Sequence, residues 1–182
     1  MARHPPVTAP GLCYGRADVE LAGSVEHAAD ELQETLARVA TSSVVWSSPS
    51  TRCASVARVL ASRWQVDLRL DARLLEVDFG DWEGRTWSRI EGEEPAAYAS
   101  WMSNWRTAAP PGGESIAALS ARVEAWLAEL GEGALDQVTT GAPVLIAHAG
   151  VIRALLVLLD GLAWDDAMKR DVPHLAWKRF IP

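Results

Sequence analysis

The run Val144-Leu145-Ile146-Ala147-His148-Ala149-Gly150-Val151-Ile152-Arg153 limits the architecture of this chain more than any other stretch. It opens as a short apolar segment after Pro143, rich in β-branched residues, and such a segment reads as a buried strand. Through His148-Ala149-Gly150 it passes into a mainly apolar continuation, Val151 to Leu159, that reads as a buried helix. A strand that hands over to a helix in so few residues predicts an α/β protein, with His148 at the strand's carboxyl end. Open α/β sheets bind ligands in the crevice at that end, and the N–H groups that begin a helix favour anions. Taken alone, the stretch reads equally well as a core histidine satisfied by a neighbour.

The rest of the chain repeats this grammar. Residues 1–21 are dense in Pro and Gly and read as a loop carrying Arg3, His4 and Arg16. Ser24 to Ala40 is an amphipathic helix, with Val25, Ala28, Ala29, Leu32, Leu36 and Val39 on one face and Ser24 as its cap. Ser43 to Ser47 is a second strand, running through Ser48-Pro49-Ser50-Thr51 into Arg52 and a helix that buries Val56, Ala57, Leu60 and Trp64. A cation in a helix's first turn meets the positive end of the macrodipole, so Arg52 is better placed if it faces an anion. An arginine turned out to solvent is the alternative. Val66 to Leu70 alternates as a strand should.

The turn from Glu76 to Gly84 sets acids among Phe79 and Trp82. Apolar walls favour the neutral carboxyl, which is the form a general acid needs. Residues 85–113 hold Trp87, Trp101 and Trp105, a helix pattern from Pro95 to Trp105, and the terminator Pro110-Pro111-Gly112-Gly113. An aromatic insertion of this kind resembles a lid over a site. Glu114 to Leu130 is an amphipathic helix stopped by Gly131, a short helix spans Trp164 to Arg170, and His174 to Phe180 reads as a last strand.

Composition removes several classes of function. A net charge of −7 argues against nucleic acid or an anionic membrane as partner. Cys13 and Cys53 form neither a disulfide framework nor a metal-ligand spacing. There is no signal-peptide core and no apolar run long enough to span a bilayer, so a cytoplasmic protein is expected. Neither a phosphate-binding glycine loop nor a GxSxG elbow is present. Chemistry on this chain must be built from His, Arg and Glu.

Five motifs stand in order: Arg3-His4; Ser47-Ser48-Pro49 with Arg52; Glu76 through Phe79-Gly80-Asp81-Trp82-Glu83-Gly84; Pro111-Gly112-Gly113-Glu114-Ser115; and His148-Ala149-Gly150. Together they resemble the histidine phosphatase superfamily, the phosphoglycerate mutase-like fold, over nearly the whole chain. Gly11-Leu12-Cys13-Tyr14-Gly15-Arg16 is most similar to the α-ribazole phosphatase branch of cobalamin biosynthesis. The resemblance implies one domain over residues 1–182, a three-layer α/β sandwich with a mixed, mainly parallel sheet and helices on both faces. It implies a metal-independent phosphomonoesterase, with no cofactor, acting on a small phosphorylated metabolite such as α-ribazole 5′-phosphate. His4 would be the nucleophile, and Arg3, Arg52 and His148 the clamp on the phosphoryl oxygens. Glu76 would be the proton donor, with Glu83 as second choice, and Arg16, Glu83 and Trp82 would contact substrate.

Three features depart from the family pattern, one being that the stretch after His4 lacks the usual acid and asparagine, so Arg16 would substitute in contacting phosphate or leaving group. Pro5 follows His4 where the family carries Gly, which removes a backbone N–H. Only Met1 and Ala2 precede Arg3, so the first strand is expected to be truncated. A non-catalytic phospho-ligand binder and a mutase-type phosphotransferase are the competing readings, and a homodimer stays open.

Overall fold

The computed structural model describes residues 1–36, 42–133 and 142–178. Four strands form its sheet: β1 (Ala2–Arg3), β2 (Ser42–Ser47), β3 (Asp67–Leu70) and β4 (Ala142–Ala147). Their order is β1-β4-β2-β3, and every neighbouring pair is parallel. Side chains alternate between the two faces, as the two-residue period of a strand requires. Val45 and Ile146 enter one core with Ala29, Leu32, Val56 and Leu60. Those four lie on α1 (Val25–Leu36) and α2 (Thr51–Trp64). Leu145, Ala147 and Trp46 enter the opposite core with Leu119, Val123, Trp126, Val151 and Leu155. These come from α5 (Ile116–Gly133) and α6 (Ala149–Asp160), so the three-layer sandwich is as expected. Each fully buried Leu or Ile in these layers contributes about 1.5–3 kcal/mol of apolar burial.

Local signals account for most element ends. The Ser24 hydroxyl accepts the His27 N–H and caps α1, as read from the sequence. Gly161, at φ +66°, closes α6 in the left-handed conformation glycine permits. Gly131 does not stop α5, which runs on to Gly133. The expected helix residues 37–40 lie outside the described residues. The aromatic insertion contains two helices, α3 (Trp87–Glu93) and α4 (Pro95–Ser103), and α7 covers Trp164–Lys169.

The sheet is mainly parallel, as expected, and the expected last strand needs correction. Within the described residues the tail does not form a strand, because Leu175 takes φ +58° and breaks the extended run. Its antiparallel contribution shrinks to one bridge, Ala2 to Trp177; residues 179 and 180 lie outside the described residues. That short pairing nevertheless completes the two-residue β1. The Arg3 N–H donates to Ala176, the Leu175 N–H donates to Arg3 and the Lys178 N–H donates to Met1. With β4 on its other side, a two-residue strand has partners for its backbone.

Candidate active site

Parallel order puts the carboxyl ends of β1, β2 and β4 side by side, and each ends at a chemically useful residue. His4 follows β1, Ser48 follows β2 and His148 follows β4. The His4 and His148 rings are 5.2 Å apart between centroids. Both are buried, at 2% and 0% exposure.

The His4 tautomer follows from one contact. Its Nδ1 lies 2.7 Å from the Pro5 carbonyl, which can only accept, so Nδ1 carries the hydrogen and Nε2 keeps its lone pair. Pro5 thus costs an N–H but supplies the acceptor that orients the ring. Burial pushes the imidazole down from 6.5 to about 3, with the charges of Arg52, His174 and Arg3 acting the same way. His4 is therefore a neutral base at ordinary pH.

Cations surround it. Arg3 donates through one terminal nitrogen to the Val172 carbonyl, and Arg52 spans the carbonyls of Gly15 and Ala17. The Nε atoms of both guanidiniums are buried without a protein partner. Buried donors are normally satisfied, so these two stand out. Arg52 was expected to answer the start of α2 with a bound anion. At the start of that helix the Asp18 carboxylate takes the Thr51 N–H and hydroxyl. Ser50 at the cap position turns its hydroxyl to His148 Nε2, at 3.2 Å, beside the Ser48 hydroxyl at 2.8 Å. Cys53 Sγ packs 3.5 Å from the same nitrogen. Burial, with Arg52 next, holds His148 well below the usual histidine range.

A cavity of about 610 Å³ opens over His4, within the size range of small-molecule sites. Arg3, His4 and Glu76 are among its polar lining, and Tyr14, Phe79, Trp101, Trp105 and Trp164 supply aromatic wall. Glu76 is fixed by the first turn of α6, its Oε2 accepting the Gly150 N–H at 3.1 Å. Glycine at 150 leaves room for that carboxylate, because a Cβ there would stand 2.2 Å from Glu76 Oε1. Gly150→Ala is expected to keep the fold, since the end of a flexible side chain can swing aside. Turnover of alkyl phosphates should fall about 10²-fold if Glu76 is the general acid. Unchanged turnover with an unchanged melting temperature would remove Glu76 from that role.

Several expected site residues lie elsewhere. Arg52 and His148 are buried beside His4 rather than on the cavity wall. Trp82 does not reach the cavity: it is fully buried with Cys13 and Ile90, and its indole N–H donates to Glu94. Glu83 is also off the wall, since its carboxylate accepts the N–H groups of Gly15, Arg16, Ala17 and Phe79. It shapes the very loop whose carbonyls hold Arg52. Gly15 is needed there, because a Cβ would meet the Val77 carbonyl at 1.7 Å. Arg16 pairs with Asp78 and Glu114 rather than entering the cavity. Two residues the sequence reading passed over belong to the site. Arg153 lines the cavity, and His174 places its ring 5.0 Å from His4.

Comparison with known proteins gives this geometry a family. Residues 1–180 match the histidine phosphatase superfamily (branch 1). The chain is 31% identical over 152 residues to the adenosylcobalamin/alpha-ribazole phosphatase of Escherichia coli K12, covering 84% of this chain and 72% of that one. It is 35% identical over 120 residues to the glucosyl-3-phosphoglycerate phosphatase of Mycobacterium tuberculosis H37Rv. That match covers 64% of this chain and about half, 53%, of the relative. Among solved structures, the alpha-ribazole phosphatase of Shigella flexneri superposes with a TM-score of 0.83 at 28% identity, covering 96% of this chain and 85% of that one. A mycobacterial glucosyl-3-phosphoglycerate phosphatase with inorganic phosphate gives 0.79 at 29% identity, covering 94% and 83%. On its sequence, its parallel sheet and its paired imidazoles, the chain belongs to the histidine phosphatase superfamily.

Proposed function

We propose that the chain hydrolyses phosphomonoesters of small metabolites through a phosphorylated His4, with arginines in place of a metal ion. The observation that carries this is the buried His4 imidazole, its Nδ1 tied to the Pro5 carbonyl and its ring 5.2 Å from that of His148, sharing one cavity with Arg3 and Glu76. In the first step the Nε2 lone pair bonds to phosphorus and the bond from phosphorus to the leaving oxygen breaks. Glu76 gives that oxygen its proton. In the second step a water oxygen bonds to phosphorus and passes a proton back to Glu76. The phosphorus–nitrogen bond breaks, phosphate leaves and His4 returns neutral. Each half is easier than direct hydrolysis, and most of the work is positioning and charge stabilisation. Every group invoked lies in one chain, so the reading does not call on a homodimer.

The cavity also bears on the substrate. Segment 85–113, acting as a lid, brings Trp101, Met102 and Trp105 to the wall, and α7 brings Trp164 and Met168. The other charged groups of the lining are already engaged. Arg153 donates to the Ala167 and Arg170 carbonyls, Lys169 to Asp166, and Asp165 pairs with Arg106. A flat, uncharged leaving group suits these faces better than a sugar acid does, and α-ribazole 5′-phosphate is such a compound.

The test compares a nucleoside 5′-monophosphate with ribose 5-phosphate, which share the same leaving oxygen, both in EDTA. We expect turnover of both, with kcat/KM about tenfold or more in favour of the base-bearing ester, as one or two ring contacts would give. Equal turnover would overturn the substrate class and keep the phosphatase. Phosphate binding without turnover would favour a regulatory binder, and transfer of the phosphoryl group between metabolites a mutase-type enzyme.

A further inference from the structure

We propose that His174 is a positioning residue for the nucleophile, a role that rests on His4 being the group phosphorylated. The His174 Nδ1 lies 2.9 Å from the His4 carbonyl, so it donates there. Its ring stands edge-on to the His4 ring with centroids 5.0 Å apart. One residue therefore fixes both the backbone and a face of the imidazole that must be aimed at phosphorus.

The surrounding turn is built to hold it. Leu175, directly after it, sits at φ +58° while nearly buried, an uncommon conformation for a branched side chain. Strained backbone of this kind persists where the surroundings over-determine it, and it gathers at functional sites. The same turn clamps Arg3 on three sides. The Val172 carbonyl takes its guanidinium, the Leu175 N–H reaches its carbonyl and the Ala176 carbonyl takes its N–H. A first strand of two residues has little sheet to anchor it. The segment 172–178 supplies that anchorage from the other side, and His174 extends it by one residue to the reacting imidazole.

Asparagine and phenylalanine separate the two contributions. Asn can present an amide N–H where Nδ1 now lies, whereas Phe keeps a ring and loses the donor. The readout is the rate of His4 phosphorylation in a single turnover, measured with KM for the same ester. His174→Phe is expected to slow phosphorylation by roughly 10- to 100-fold, the size of effect a small misalignment produces, with KM nearly unchanged. His174→Asn should recover most of that loss. His174→Gln, whose amide sits one methylene further out, should resemble Phe and serves if the Phe variant does not fold.

A wild-type phosphorylation rate in the Phe or Gln variant would overturn the proposal. So would an Asn variant as slow as both. A stability role alone would lower the melting temperature of all three without sorting their rates. If wild-type protein turns over without phosphorylating His4, the fault lies with the parent reading instead.

Discussion

Replacing His4 by alanine is expected to lower kcat/KM for p-nitrophenyl phosphate by about 10⁴-fold or more, as when the nucleophile of a covalent catalyst is removed. The substitution deletes the cavity-lining imidazole whose Nδ1 is tied to the Pro5 carbonyl, leaving Nε2 with its lone pair. His148 cannot take over, because its Nε2 is engaged by the Ser48 and Ser50 hydroxyls. His4 is buried, so the variant also leaves a small cavity and an unpaired Pro5 carbonyl. That combination should cost on the order of 1–3 kcal/mol, and far-UV circular dichroism should still show a folded protein. Residual activity within tenfold of wild type would mean that another group attacks phosphorus.

The second large effect is expected at Arg52, where stability and activity should fall together. Its terminal nitrogens hold the carbonyls of Gly15 and Ala17, in the loop that Glu83 gathers through three backbone N–H groups. Arg52→Ala leaves both carbonyls without this donor, at about 1–3 kcal/mol each. It also removes a cation from beside the nucleophile, worth about 10²–10³ in kcat by analogy with a lost oxyanion donor. Arg52→Lys keeps the charge but offers a point donor where a planar fork is needed, and should fall between. Thermal melts and steady-state kinetics on both variants check this. A lysine variant with wild-type rate and stability would show that the fork is not required.

Much of this architecture can be read before any coordinates. The apolar segment 144–147 running into α6 predicts a central strand and a buried helix, and the stripes of α1 and α5 predict which faces they bury. What stays hidden has identifiable physical causes. His174 sits in a tail whose alternation mimics a strand, and only the left-handed turn at Leu175 aims it at His4. Glu83 looks like a second acid because a sequence displays side chains and not the backbone N–H groups converging on them. Trp82 and Trp105 are the same residue type, yet one is buried under α3 and α4 and the other faces the cavity. The partner of the α2 terminus, Asp18, comes from 33 residues away in the opening loop. Local pattern cannot reveal such a closure.

The most direct test is to mix enzyme with a ³²P-labelled phosphomonoester, quench on the millisecond scale and map the label. Acid-labile, alkali-stable phosphate on Nε2 of His4, formed and lost at rates that support turnover, is the result this account predicts. Turnover with the label on any other residue, or with no labelled protein at any time, would contradict it.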